Sequence, residues 1–97
     1  MYTLVQLSSQ AVVQRSSTLL AAELDGETML LSIEHGRYFG LDAVGGDIWR
    51  RLETPISVGD LCAALRDVYE ADPMVIEREV LELLNRLRDE GLIEVMS

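Results

Sequence analysis

Lysine is missing from this sequence: all eight basic residues are arginine, against seventeen carboxylates, for a formal net charge of -9. That balance argues against nucleic acid as a partner. A duplex-binding domain draws most of its affinity from Lys and Arg displacing phosphate counterions, and the arginines here are scattered along the chain. Thiols and imidazoles are equally scarce, with Cys62 and His35 the single representatives of their kinds. An internal disulfide is therefore excluded, no metal-ligand spacing exists, and a reducing compartment is expected. Long apolar runs are also missing. Stretches such as Leu19–Ala22 and Met29–Ile33 are far too short to cross a bilayer, and the N-terminus lacks the basic start and apolar core of a signal peptide. A cytoplasmic protein that uses neither membrane nor cofactor is expected.

Catalytic arrangements are lacking too. His35 sits beside Gly36 in a turn signal, with no neighbouring Cys or Ser that it could activate as a base. Cys62 lies beside Ala63 and Ala64, where a small buried thiol is the reading that fits. Gly45-Gly46 is too little glycine to cradle a nucleotide phosphate, and the carboxylates read as solvated faces.

What is present begins with size: 97 residues that are 48% hydrophobic can bury one modest core. Residues 1–17, MYTLVQLSSQAVVQRSS, have a weak period, with a strand conceivable near Ala11–Arg15, and are read as an N-terminal arm. The domain proper is assigned to residues 18–97. From Thr18 onward LLAAEL, ETMLLSIE and RYFGL read as three short strands divided by Asp25-Gly26 and His35-Gly36 turns. In the middle strand Met29, Leu31 and Ile33 alternate with Thr28, Leu30 and Ser32, as in a sheet buried on one face.

After Leu41 the period becomes helical. Asp42 is an N-cap candidate for a helix over Val44–Glu53, ended by Thr54-Pro55, and Ser57 with Asp60 opens a second helix carrying Leu61, Leu65, Val68 and Tyr69. Asp72-Pro73 starts a third, because proline at the first helical position lacks only an N–H that would have been unpaired there. It runs to about Glu90 and is stopped by Gly91, after which Leu92–Val95 reads as a short strand or tail. The fold class expected is α+β, a three-stranded antiparallel sheet followed by a three-helix, winged-helix-like bundle.

Two features stand out as candidate binding surfaces. At about 100° per residue, Ile76, Val80, Leu83, Leu84 and Leu87 share one stripe of the third helix, the core contact. A second line, Met74, Leu81 and Asn85 bordered by Arg78 and Arg88, reads either as one wall of a groove or as an extension of the core. The opposite side holds Glu79, Glu82, Arg86, Asp89 and Glu90. The other feature is Arg37-Tyr38-Phe39-Gly40-Leu41, the last strand of its meander and so an edge. Unpaired edge groups invite a partner's extended segment. Gly40 either admits a close backbone there or turns the chain into the first helix.

The run RYFGLDAVGGDIW, the helix start at Pro55-Ile56-Ser57-Val58 and the ending LNRLRDEGLIE together resemble the PqqD-like family, also called RiPP recognition elements. The resemblance spans about Leu19 to Val95, and the ELDGE…LLSIEHGRYFGLD lead-in is similar to the stand-alone members of lasso-peptide clusters. It implies a sheet packed on a winged-helix-like bundle, with a precursor's leader peptide paired to the third strand and lying against the third helix. Carried over by position, the site is Arg37, Tyr38, Phe39, Gly40 and Leu41 facing Met74, Arg78, Leu81, Asn85 and Arg88. The implied partners are the leader peptide, a leader peptidase resembling transglutaminases and an ATP-dependent cyclase. The arm has no counterpart in the minimal family pattern, which leaves open strand exchange or self-association through the edge. Two alternatives are carried beside this one: a winged-helix DNA-binding regulator, disfavoured by Glu79, Glu82, Asp89 and Glu90 on the third helix, and a structural subunit of a larger enzyme.

Overall fold

A computed structural model describes residues 7–17 and 19–96; residues 1–6, Thr18 and Ser97 lie outside it, and with them the first part of the expected arm. At the Asp25-Gly26 turn both residues take positive φ, 52° and 81°, the pair a type I′ hairpin turn requires. That turn joins β2 (Leu19–Leu24) to β3 (Glu27–Ser32), and a second turn ending at Gly36, φ 64°, leads into β4 (Arg37–Leu41). The strands pair antiparallel in the order β2-β3-β4, which leaves β4 at an edge, as its position last in the meander implied.

The helices start where their caps predict. The Asp42 carboxylate accepts from the Gly45 N–H at 2.8 Å to open α1 (Ala43–Arg51). Ser57 Oγ accepts from Asp60 N–H at 3.1 Å to open α2 (Val58–Val68). Asp72 accepts from Met74 N–H at 2.8 Å ahead of Pro73 in α3 (Pro73–Asp89). Each bond satisfies a donor that the first helical turn would otherwise leave unpaired. Glycine in α1 costs helix propensity, yet a Cβ at Gly46 would sit 2.6 Å from Thr28 Oγ1, so only glycine lets the helix lie this close to β3. At the far end of α3, Gly91 has φ 75°; its N–H donates to Arg88 O at 3.0 Å and the Leu92 N–H donates to Leu87 O at 2.8 Å. That pair of bonds is a Schellman stop, and it redirects the chain into β6 (Ile93–Val95).

The structure corrects the expected order of one sheet followed by helices. Among the described residues there are two three-stranded antiparallel sheets and three helices, and the second sheet gathers β1 (Val12–Arg15), β5 (Ile56–Ser57) and β6 from distant parts of the chain in the order β5-β1-β6. The described part of the arm, residues 7–17, is accordingly built into the fold. β1 is the central strand, Val13 is fully buried, and Leu7 and Ala11 join the core. Backbone bonds lock it there, with Arg15 N–H donating to Leu52 O at 3.0 Å and Ser16 N–H to Leu92 O at 2.8 Å. The strand lies where one was conceivable near Ala11–Arg15, but so short a run alternates too weakly to say more, and its partners are not its sequence neighbours.

The core lies between α1, α2, α3 and the two sheets, around Trp49, Leu52, Leu61, Leu84, Leu87 and Leu92. Ile76, Val80, Leu84 and Leu87 of the expected stripe are buried, whereas Leu83 is only half-buried at its margin. In β3 the buried side chains are Thr28, Leu30 and Ser32, so the more apolar set, Met29 and Leu31, turns outward.

Candidate functional site

The β3–β4 register aligns Leu41 with Thr28, Phe39 with Leu30 and Arg37 with Ser32. Because those three β3 residues are buried, Arg37, Phe39 and Leu41 face the helices, and Tyr38 and Gly40 face away on the outer side of the sheet. Tyr38 is accordingly 71% exposed, while Phe39 packs against the core and carries the Arg37 guanidinium 5.8 Å from its ring centroid. The far edge of β4 pairs with no strand among the described residues. Alternate residues along it direct N–H and C=O groups outward, the pattern on which an extended segment can form a ladder.

Beside this edge runs a cleft of about 300 Å³. Gly40, Leu41, Val44 and Ile48 line it from β4 and α1, and Glu79, Leu83 and Arg86 line it from α3. One end of the strand is tied to the helix, since Arg37 Nη1 lies 3.4 Å from Glu90 Oε2 and His35 Nδ1 lies 3.8 Å from Glu90 Oε1. The α3 face turned to β4 is therefore Glu79, Leu83, Arg86 and Glu90, which recur at helical spacing.

This cleft does not take in the α3 half of the expected site. Met74, Arg78, Leu81 and Asn85 do not meet β4; they line a separate depression with Leu7, Glu77 and Glu82. Arg88 follows them on that side, with its Nε 4.0 Å from Asp89 Oδ1. Asn85 folds back along its own helix, its Nδ2 donating to Leu81 O at 2.8 Å. The physical reason is that α3 has two flanks beside its core stripe. Which of them meets β4 depends on how the helix lies across the sheet, and nothing in the helix's own periodicity states that. Arg86, assigned from sequence to the far side, is in the cleft, and so is Leu83, read as core.

The cleft is lined by apolar Leu41, Val44, Ile48 and Leu83 and by charges of both signs, Arg86 against Asp42 and Glu79. It continues into an adjoining depression that shares Val44, Ile48 and Glu79 and extends to Leu65, Tyr69 and Ile76. Tyr69 is held there by donating to Asp47 Oδ2 at 3.0 Å, and this bond to the carboxylate is the main cause that raises its phenol pKa. Cys62 is remote from the cleft, buried on α2. Burial, reinforced by Glu77 and partly opposed by Arg66, raises its pKa, so the thiol stays protonated at neutral pH and is a poor nucleophile. The arrangement can grip an extended chain through its backbone and seat apolar side chains beside it.

Comparison with known proteins bears on which chain that is. The family model described as coenzyme PQQ synthesis protein D (PqqD) matches residues 27–93. Among solved structures, TbiB1 in complex with the TbiA(beta) leader peptide is 34% identical, with a TM-score of 0.76 over 84% of this chain and 94% of that one. A lasso peptide synthetase B1 complexed with the leader peptide is 24% identical, with a TM-score of 0.74 over 84% of this chain and 96% of that one. The PqqD truncation of Methylobacterium extorquens PqqCD, a functional and stand-alone RiPP recognition element, is 23% identical, with a TM-score of 0.75 over 91% of this chain and 94% of that one. At these identities the last two speak to the fold alone. No curated protein matches the chain.

Proposed function

The chain belongs to the PqqD family, and from that premise we propose that it is a non-catalytic module that captures the leader segment of a precursor peptide as an added strand on β4. The observation that carries this reading is the unpaired β4 edge running beside a cleft partly lined by apolar side chains. Backbone pairing along Arg37–Leu41 supplies attachment whatever the leader's sequence. Selectivity comes from leader side chains that enter the cleft against Leu83, Val44 and Ile48, between Arg86 and Glu79. The TbiB1 relative, captured with a leader peptide, supports the same use of the fold.

The reading extends to what happens next. The module presents its leader to a leader peptidase of transglutaminase-like type and to an ATP-dependent cyclase, and it does so in the cytoplasm; no helix among the described residues is long and apolar enough to cross a membrane. The short turn joining α2 to α3 supports a winged-helix-like reading of the bundle.

Isothermal titration with the leader of the precursor encoded beside this gene tests the proposal. Saturable one-to-one binding by the folded protein is expected. A folded, monomeric protein that gives no heat with that leader would overturn the recognition reading.

A further inference from the structure

The β2-β3-β4 sheet carries apolar side chains on both of its faces. Its helix-facing side buries Leu30 and Leu41 together with Thr28 and Ser32, and carries Glu23, whose Oε1 is 2.7 Å from Arg50 Nη1 of α1. Its outer side carries Leu20 opposite Leu31, Ala22 opposite Met29, and Leu24 beside them, with Tyr38 opposite Leu31 on β4. Leu20, Leu24 and Tyr38 are 59%, 63% and 71% exposed, and a shallow depression of about 200 Å³ lies among Leu20, Ala22, Met29, Leu31 and Tyr38. A sheet with one solvated face normally turns its polar residues to water. Continuous exposed apolar surface on a small soluble domain marks an interaction site.

We propose that this outer face docks a second protein, an enzyme that acts on the captured peptide, through an apolar surface bordered by basic residues. Two observations select that occupant. The first is charge. Exposed Glu27 stands at one end of the face, Asp25 and Glu34 border it in the turns, and the whole chain carries -9. A second copy would bring its own -9 against that margin, and an anionic lipid surface would be repelled by it. The second is continuity. The face reaches β4 through Tyr38, so a strand added at the β4 edge extends the same sheet and lies alongside whatever covers the outer face. The enzyme is thereby placed next to the peptide without competing for the cleft. The inference rests on the leader-binding reading for its choice of occupant, and on the sheet pattern for its location.

The test uses the intact protein and each maturation enzyme encoded beside its gene, immobilised for biolayer interferometry, with leader titrated in parallel. Leu20→Glu places a charge on the β2 side of the face at an already exposed position, Leu31→Ala trims its cross-strand partner on the central strand, and Met74→Glu, 79% exposed on the far flank of α3, is the control. Circular dichroism confirms folding of each. Expected is enzyme binding by the unchanged protein and by Met74→Glu, weakened at least about tenfold in Leu20→Glu and measurably in Leu31→Ala, as for a central apolar contact, with leader affinity the same in all four. Three results would overturn the docking proposal: full enzyme binding by folded Leu20→Glu and Leu31→Ala; no enzyme bound by the unchanged protein; or a dimer in sedimentation that Leu20→Glu dissociates, which assigns the face to a second copy. Loss of leader binding from every protein, with enzyme docking still sensitive to Leu20→Glu, overturns the recognition reading and leaves the docking face standing.

Discussion

Leu81 and Leu83 are two positions apart on one helix, and the tertiary structure separates their roles completely. Leu83 stands in the cleft opposite Gly40 and Leu41, whereas Leu81 lines the depression beside Met74. The sequence pattern pointed to the flank of Met74, Leu81 and Asn85 because bracketing arginines looked like a prepared surface in a chain short of positive charge, whereas the cleft beside β4 is lined by the other flank. The signal that would have found the other flank was present but quiet: Leu83 sits at the margin of the core stripe, next to Arg86 and Glu79 on the solvent side. The consequence is measurable. Leu83→Glu is expected to weaken leader binding at least about tenfold, as removal of an apolar anchor does, and Arg86→Glu to weaken it less, while Met74→Glu leaves it unchanged. Calorimetric titration of the three variants checks the order, and equal effects at Leu83 and Met74 would refute the placement of the cleft.

At the level of elements, edge position is the property that matters. Strand β4 was legible as an edge because it is the last of a meander joined by Asp-Gly and His-Gly turns, and hairpin turns place consecutive strands side by side. Helix starts were legible for the same local reason: Asp42, Ser57 and Asp72 each cap the helix that follows them. The faces of the strands were not. Alternation in β3 announced one buried and one exposed side, and the structure buries Thr28, Leu30 and Ser32. If a leader strand pairs with β4, the amides of Tyr38–Gly40 that point away from β3 exchange slowly once peptide is added. Hydrogen exchange followed by NMR, with and without leader, should show this protection there and none of it in α2. Unchanged exchange along β4 at saturating leader would mean that the peptide is held by side chains alone.

For the molecule as a whole, the decisive strand is the one that the sequence only hinted at near Ala11–Arg15. β1 joins β5 to β6 and buries Val13 completely, so residues read as an arm form the middle of a sheet. Val13→Ala should therefore cost about 2 kcal/mol, the loss of buried methyl groups plus the space they leave. Urea unfolding followed by fluorescence of Trp49, the lone tryptophan and itself buried, reads that loss as a lower midpoint at unchanged slope. A change of a few tenths would return these residues to the status of an arm. By itself the sequence determined the helix boundaries, the meander with its free edge, the core stripe of α3 and the family, because all of these are written in spacing, caps and turns among near neighbours. Only the tertiary structure decided that β1 pairs with two strands far along the chain, that the cleft opens on Leu83 and Arg86, and that the sheet turns Leu20, Leu31 and Tyr38 to the outside. Those depend on how helices and sheets lie across one another, and a local period names the faces of an element without saying what each face meets.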